Sequence, residues 1–182
     1  MKDYAGTQES PSSASGDGEF EYPLERSIGS QLRKTHRLFE RDLAIFLASA
    51  DVPIGMWYFL RALWEEDGLS QRELSERAGS TAPAAVEQLR NMERRGYIRR
   101  ERSSTDKRKV NVYLTASGRE LKRLLPYAAK VNAIALEGLS EGEIGFLRFV
   151  LARMKENFAR YWREQQSATS TVHVSGSGRD RT

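Results

Sequence analysis

The sequence has no cysteine among its 182 residues and contains two histidines, His36 and His173. The lack of cysteine excludes disulfides, thiolate metal sites, a cysteine nucleophile and cysteine-based redox sensing. The chain also has no glycine-rich phosphate loop and no nucleophile motif, so an enzyme is the least supported class of function. We expect no catalytic residues, no metal site and no cofactor.

Long apolar runs are also missing, because charged residues interrupt every stretch that approaches the roughly 20 residues of a membrane-spanning helix. The N-terminal stretch 1–21 is rich in Ser, Gly and acidic residues and lacks the features of a signal peptide. We therefore expect a cytoplasmic protein without a membrane partner. Stretches 1–21 and 167–182 have few large apolar residues and are predicted to be flexible tails.

Apolar residues at helical spacing predict several helices in the remaining 22–166. The first ends near Asp51, because Pro53 disfavours helical geometry in the residue before it. A second runs from Ile54 to Glu66. Beyond the centre of the chain, a helix capped by Thr115 and a long amphipathic helix that starts after Ser140 complete the pattern.

Two short helices joined by a tight turn occupy the centre of the chain. Ser70 and Glu73 form a capping box that starts the first, which ends at Gly79. The second begins near Thr81 and continues to Gly96. Apolar residues at its buried positions turn a polar face to solvent, and this arrangement is typical of a helix-turn-helix whose second helix enters the major groove.

A period-two pattern after Gly96 predicts a two-stranded hairpin with a polar turn at 103–106. From Thr81 to Val110 there are nine Lys or Arg and four acids, a local charge of +5 that exceeds the +4 of the whole chain. Such a cluster releases counterions from phosphates, which favours a DNA-binding wing over a merely solvated hairpin. The predicted fold is mainly α, with a winged helix-turn-helix at 54–115 and dimerisation helices at 22–50 and 116–164.

The segments Gly79 to Met92, Glu93 to Ile98, Asp106-Lys107-Arg108 and Leu114 to Gly118 resemble the MarR family (multiple antibiotic resistance regulators) of winged-helix repressors. The resemblance covers roughly Leu24 to Trp162. It implies that Asp106 orients Arg108 by pairing with it, and that Arg108 enters the minor groove. Relatives often carry a hydroxyl residue near the start of the recognition helix, where this chain has Ala84 and Ala85, so Ser80 or Thr81 is expected to take over that anchoring to the DNA backbone.

Double-stranded DNA is the predicted partner. Gln88 and Asn91 suit adenine edges because each offers a donor beside an acceptor, whereas Glu87 must accept from a cytosine or pair with Arg90 or Asn91. The full set of expected DNA contacts is Ser70, Gln71, Ser80, Thr81, Ala84, Glu87, Gln88, Asn91, Arg95, Lys107, Arg108 and Lys109.

A homodimer is expected, because a helix-turn-helix module usually reads two half-sites about one helical turn apart. The apolar residues at the two ends of the domain exceed what a monomer of this size comfortably exposes. They are Leu24, Ile28, Leu32, Val150, Met154, Phe158 and Trp162.

Aromatic density between the first two helices suggests a pocket for a small effector. The resemblance implies an aromatic or phenolic acid that releases the DNA, and an acyl-coenzyme A thioester is an open alternative. His36 is equally compatible with a ligand contact or a hydrogen-bonded core position. The candidate ligand residues are Arg33, His36, Arg37, Phe39, Trp57, Leu60, Arg61 and Trp64. A winged-helix architectural or protein-interaction factor without an effector is the competing hypothesis.

Overall fold

A computed structural model describes residues 22–102, 106 and 109–174, the last seven of them by backbone alone. Its elements are, in order, α1 (Ile28–Ala48), α2 (Ile54–Glu65), β1 (Leu69–Ser70), α3 (Gln71–Arg77), α4 (Ala82–Arg94), β2 (Ile98–Arg102), β3 (Val110–Leu114), α5 (Ala116–Glu120), a 3₁₀ turn (Leu121–Leu124), α6 (Leu125–Ala135) and α7 (Glu141–Val174). This order confirms the predicted fold class.

The ends of the first two helices follow from local chemistry. The Ser27 hydroxyl accepts from the Ser30 amide at 3.2 Å and caps α1, so the chain before Ile28 is not part of this helix, although the prediction started the helical region at 22. After α1, Asp51 adopts a left-handed backbone with φ of 51°, and Pro53 occupies the N-cap of α2. The corner between α1 and α2 therefore lies where the sequence predicted it.

One apolar core joins α1 and α6 to the DNA-binding module, with α2 at its centre. α2 carries six buried residues, more than one face of a helix can supply, because it has neighbours on several sides. The large side chains with the least exposure come from five elements, and they are Leu47, Leu60, Leu63, Leu74, Leu89, Met92 and Val112. α2 thus connects the helices around the core to the helix-turn-helix.

The sheet has three antiparallel strands in the order β1, β3, β2, rather than the two predicted. The hairpin pairs Ile98 with Leu114, and the extra strand pairs Leu69 with Val112. A strand of two residues shows no alternation of apolar and polar positions, so the sequence pattern did not reveal it. Through β1 the wing is joined directly to the start of α3.

The helix predicted after Thr115 is interrupted. Thr115 caps it as expected, since its hydroxyl accepts from the Gly118 amide at 3.1 Å. However, α5 gives way to a 3₁₀ turn before α6 begins. Pro126 accounts for the break, because it lacks an amide hydrogen and its ring collides with the carbonyl four residues earlier in a continuous α-helix.

α7 begins at the predicted capping box, where the Ser140 hydroxyl donates to the Glu143 carboxylate at 2.7 Å. It continues to Val174, so the prediction that the helix ends at 164 is wrong, whereas the flexible tail at 167–182 stays a prediction. No glycine or proline lies between Phe146 and Ser175, and nothing in the backbone therefore ends the helix earlier. Among the described residues no helix is both long and apolar enough to span a membrane. The stretch 1–21 lies outside the described residues.

Candidate nucleic-acid interface and ligand cleft

The helix-turn-helix consists of α3 and α4. The Ser70 hydroxyl and the Glu73 carboxylate form the predicted capping box, which lowers the pKa of Glu73 through hydrogen bonds from the Ser70 side chain and backbone. Gly79 has φ of 65°, a conformation that favours glycine and turns the chain towards α4. Inside the turn the Ser75 hydroxyl donates to the Ser80 carbonyl at 2.9 Å, so the turn is bonded to α3.

The buried stripe of α4 contains Ala85, Leu89 and Met92, as predicted. On the opposite face of the helix lie Glu87, Arg90 and Arg94, all exposed. The two arginines were not among the expected DNA contacts, although the helical spacing that placed Glu87 on this face also places them there. The exposed face of α4 therefore carries two more basic residues than the predicted set of DNA contacts included.

Hydrogen bonds connect the polar residues on this face. The Asn91 amide nitrogen donates to a Glu87 carboxylate oxygen at 3.3 Å, and Arg94 donates to the Asn91 amide oxygen. Glu87 thus pairs with Asn91, which is one of the two partners that the sequence suggested. This network holds the Asn91 amide on the exposed side of the helix and offsets the negative charge of Glu87.

Gln88 is half-buried and not fully turned to solvent as the sequence predicted. Its side chain points to the start of α2, where Nε2 is 2.8 Å from the position that a Cβ on Gly55 would occupy. Its Oε1 is buried without a hydrogen-bond partner among the described residues. Because residue 88 lies three positions after Ala85 and four before Met92, it borders the buried stripe and not the exposed face.

Replacing Gln88 with Met is expected to leave the base preference of the protein unchanged. We expect it to raise the free energy of unfolding by about 1 kcal/mol, because a buried acceptor without a partner is removed at similar volume. Urea unfolding and binding-site selection measure the two effects. Asn91→Ala is the matched variant and should change the base preference at one position per half-site. If the Gln88 variant also changes the preference at one position, Gln88 contacts a base as the sequence predicted.

Arg95 follows α4 and is engaged with the corner between α1 and α2. Its Nη1 donates to the Asp51 carboxylate at 2.7 Å and to the Asp51 carbonyl at 2.8 Å. Asp51 is the main cause of a raised Arg95 pKa. Arg95, predicted as a DNA contact, thus anchors the end of α4 to the corner between α1 and α2.

The start of α4 provides donors for a phosphate. Thr81 is the N-cap but makes no side-chain hydrogen bond to the first turn, and Thr81 and Ala84 are both exposed. The amide groups in the first turn of a helix have no partners within the helix, so they attract anions. Ser70 and Gln71 are half-buried at the start of α3, where Ser70 is occupied by the capping box.

Ion pairs fix the strands of the wing. Arg100 Nε donates to Glu93 at 2.9 Å, which joins β2 to α4 and lowers the pKa of Glu93. Arg99 contacts Glu101 at 3.1 Å and lies over the ring of Tyr113. Lys109 makes no ion pair within the part of the chain that is described. The predicted wing-tip residues Lys107 and Arg108 lie outside the described residues, and so does any pairing of Arg108 with Asp106.

A cleft of about 550 Å³ lies between α1, α2 and α6. Four of the predicted ligand residues line it: His36, Phe39, Trp57 and Arg61. Its wall also includes residues that the sequence analysis did not select, namely Leu43, Tyr58, Ala62, Glu65, Arg77, Ala128, Val131 and Asn132. Those from α6 were missed because they lie about 70 residues further along the chain and only tertiary folding brings them to the cleft.

The other four predicted ligand residues do not line this cleft. Leu60 is fully buried in the core, and Trp64 donates from Nε1 to the Gly118 carbonyl at 3.0 Å. Arg33 and Arg37 are exposed on α1 and do not belong to the cleft wall. Arg33, Arg37 and Trp64 have the same basic or aromatic character as residues that do line the cleft, but none of the four is part of its wall.

Polar groups surround the apolar floor of the cleft. His36 is exposed rather than part of the core, with Nε2 3.7 Å from Glu40 and its ring 6.0 Å from that of Tyr58. Burial, and to a smaller extent Glu40, raises the pKa of the Tyr58 phenol, which therefore stays neutral and able to donate. The residues that line the cleft also include Arg61, Arg77 and Glu65.

Much apolar surface remains exposed on α1 and α7. Leu24, Ile28, Phe158 and Trp162, all predicted for a dimer interface, are 58–64% exposed. Further exposed side chains on α7, which the prediction did not include, are Phe146, Leu147, Phe149 and Tyr161. α7 is about 50 Å long at 1.5 Å per residue and displays exposed aromatic side chains between Phe146 and Trp162.

Comparison with known proteins links this chain to transcriptional regulators. The family model described as MarR family matches residues 55–110. HosA, a transcriptional regulator of Escherichia coli, is 39% identical over 85 residues, which make up 46% of this chain and 63% of HosA. TtmR, an HTH-type transcriptional regulator of Methylorubrum extorquens, is 34% identical over 84 residues, 46% of this chain and 43% of TtmR. The chain thus spans about half the length of these relatives.

Solved structures share the fold over a larger part of the chain. The transcriptional repressor CouR bound to a 23-mer DNA duplex matches 76% of this chain and 99% of its own, with a TM-score of 0.64 and 25% identity. BpsR of Bordetella bronchiseptica, whose DNA binding is regulated by 6-hydroxynicotinic acid, matches 75% of this chain and 98% of its own, with a TM-score of 0.67 and 19% identity.

Proposed function

We propose that this chain, whose residues 55–110 match the family model described as MarR family, is a DNA-binding transcriptional repressor that acts as a homodimer and is released from its operator by a small aromatic acid. A protein of this kind acts on the chromosome, so the proposal includes a cytoplasmic location. Its relatives HosA and TtmR are named as transcriptional regulators.

The exposed face of α4 is the observation that carries the DNA-binding part of the proposal. Arg90 and Arg94 stand beside the Glu87 and Asn91 pair, and the first-turn amides lie at the end of the same helix. A helix of this kind contacts base edges from its middle and phosphates from its basic residues and its N-terminus. Lys109, which directly precedes β3 at the tip end of the wing, extends the basic surface beyond the helix together with the predicted contacts Lys107 and Arg108.

A second copy of the chain is the proposed occupant of the exposed apolar faces of α1 and α7. Exposed apolar patches on this scale mark protein interfaces, and half-site recognition needs two recognition helices at a fixed separation. Trp162, 60% exposed, is one of the side chains that such a dimer would cover. A closed two-fold dimer uses the same surface on both copies, so the apolar faces of α1 and α7 of one chain can pack against the same faces of the second.

The cleft supports the effector part of the proposal. Its volume of about 550 Å³ is within the range of small-molecule sites, and Phe39, Trp57 and Val131 offer apolar contacts for an aromatic ring. Arg61 and Arg77 can bind a carboxylate, while Tyr58 can donate to a further oxygen. α2 lines this cleft and also contacts the recognition helix, through Gly55 and Gln88. Occupancy of the cleft can therefore alter how the recognition helices are placed.

Binding-site selection from random duplexes, followed by anisotropy over a salt series, tests the DNA-binding part. We expect two half-sites about one helical turn apart, one dimer per site, and an affinity that falls steeply with salt concentration. If the selected duplexes share no sequence and binding does not depend on salt, the DNA-binding part of the proposal is wrong. Sedimentation of the free protein as a monomer at micromolar concentration would contradict the dimer.

Thermal shift with aromatic acids and their coenzyme A thioesters tests the effector part. A ligand at 100 times its dissociation constant adds about 2.7 kcal/mol to the free energy of unfolding, which is easily detected. Addition of the same compound should then release the selected duplex. If no compound of either class stabilises the protein, the competing hypothesis of an effector-independent architectural or interaction factor is favoured.

A further inference from the structure

Arg77 connects the cleft to the helix-turn-helix. It is the last residue of α3, whereas the rest of the described cleft wall comes from α1, α2 and α6. Its guanidinium pairs with the carboxylate of Glu66, the C-cap residue of α2. One cationic side chain is thus within reach of a ligand in the cleft and also holds the end of α3 to the end of α2.

The ion pairs of the cleft are weak enough for a ligand to compete with them. Arg77 and Glu66 are 44% and 57% exposed, and Arg61 and Glu65, 3.6 Å apart, are 41% and 68% exposed. Exposed pairs contribute about 0–1 kcal/mol each, because water screens them. A carboxylate held against the apolar floor of the cleft is better shielded from water and can bind a guanidinium through two parallel hydrogen bonds.

A movement of Arg77 is transmitted to α4 by the hydrogen bonds of the turn. The Ser80 amide donates to the Ser75 carbonyl at 3.0 Å, and the Ser75 hydroxyl donates to the Ser80 carbonyl. The Gly79 amide donates to the Glu76 carbonyl at 3.2 Å. Because three hydrogen bonds join the turn to the last turn of α3, a displacement at Arg77 also displaces the start of α4.

We propose that Arg77 is an effector-binding and positioning residue: the carboxylate of an aromatic acid in the cleft takes Arg77 from Glu66, and the resulting shift of α3 and α4 weakens DNA binding. This inference rests on the proposed function, since it concerns the same cleft and the same operator complex. It assigns the coupling between ligand and DNA to a residue that the sequence analysis did not select.

The test compares acids with their uncharged amides. 6-Hydroxynicotinic, salicylic and cinnamic acids, each beside its amide, are titrated calorimetrically into the wild type and into Arg77→Ala, Arg77→Lys and Glu66→Gln. Release of the selected operator duplex is followed by anisotropy. Arg72→Ala is the matched control, because Arg72 lies on the same helix with an equivalent partner, Glu76, but does not line the cleft.

We expect the wild type to bind at least one acid ten or more times more tightly than its amide. Arg77→Ala should lose at least tenfold of the affinity for the acid and none for the amide, and Arg77→Lys should recover part of it. Glu66→Gln should bind the acid more tightly, because Arg77 is already free, and Arg72→Ala should match the wild type.

Two different failures can be told apart. If the wild type binds an acid and releases DNA, and Arg77→Ala does so with equal affinity, the role of Arg77 is wrong while the proposed function stands. If the wild type binds none of the acids in this set, the proposed aromatic-acid response fails and the inference about Arg77 fails with it.

Discussion

Gly118→Ala is expected to lower the free energy of unfolding by about 3 kcal/mol, the upper part of the usual range for overpacking. A Cβ on Gly118 would lie 2.1 Å from the carbonyl oxygen of Tyr97 and 3.0 Å from Leu114 Cδ2. The Tyr97 carbonyl cannot move away easily, because it accepts from the Thr115 amide at 3.0 Å. Gly118 is itself fixed, since its carbonyl accepts from Trp64 Nε1.

Urea unfolding at one protein concentration measures this effect, with Ser117→Ala as the control. Ser117 is exposed in the same short helix, so its replacement should change the free energy of unfolding by less than about 0.5 kcal/mol. Equal stability of the two variants would show that the backbone relaxes at no cost. Gly118 lies in one of the segments that carried the family resemblance, and its close approach to Tyr97 gives a physical reason for a glycine there.

Arg90→Ala is expected to weaken binding to the selected operator by about a hundredfold at moderate salt. A dimer loses two contacts, and a hydrogen bond to a charged group contributes about 1.5 kcal/mol or more. The slope of log affinity against log salt should fall by about 2, because each lost phosphate contact releases about 0.9 fewer counterions. Arg90 is exposed on the face of α4 opposite the core and makes no ion pair among the described residues.

Anisotropy over a salt series checks both numbers, and Arg123→Ala serves as the control. Arg123 is exposed in the 3₁₀ turn after α5 and carries the same charge, but it is not part of α4 or the wing. If both variants lose affinity equally, net charge and not a contact from α4 explains the effect. An unchanged slope in the Arg90 variant would place this residue away from the phosphates.

Local patterns in the sequence determined most of the fold. The capping boxes at Ser70 and Ser140 set two helix starts, Pro53 and Gly79 set two turns, and period-two alternation set the hairpin. Each of these depends on residues within a few positions of one another, so no knowledge of distant packing is needed. The break before Pro126 was missed, because the apolar residues keep helical spacing across it and so predicted one continuous helix.

In the candidate sites, too, the features that depend on nearby residues were predicted correctly, and those that depend on distant residues were not. The buried stripe of α4 followed from helical spacing, whereas the direction of Gln88 depends on Gly55, which lies 33 residues earlier and leaves room for it. The role of Arg95 likewise depends on Asp51. A helical wheel gives the face of a residue, but at the edge of a face the neighbouring element decides whether the side chain is buried.

By itself, then, the sequence determined that this protein has a winged helix-turn-helix with a basic recognition region, because those features come from short-range periodicity, caps and charge. Only the tertiary structure decided which residues line the cleft and which cation joins it to α3, because α1, α2, α3 and α6 meet there from distant parts of the chain. Arg77 shows the difference: in the sequence it is one of 29 basic residues, and in the fold it lies between Glu66 and the cleft.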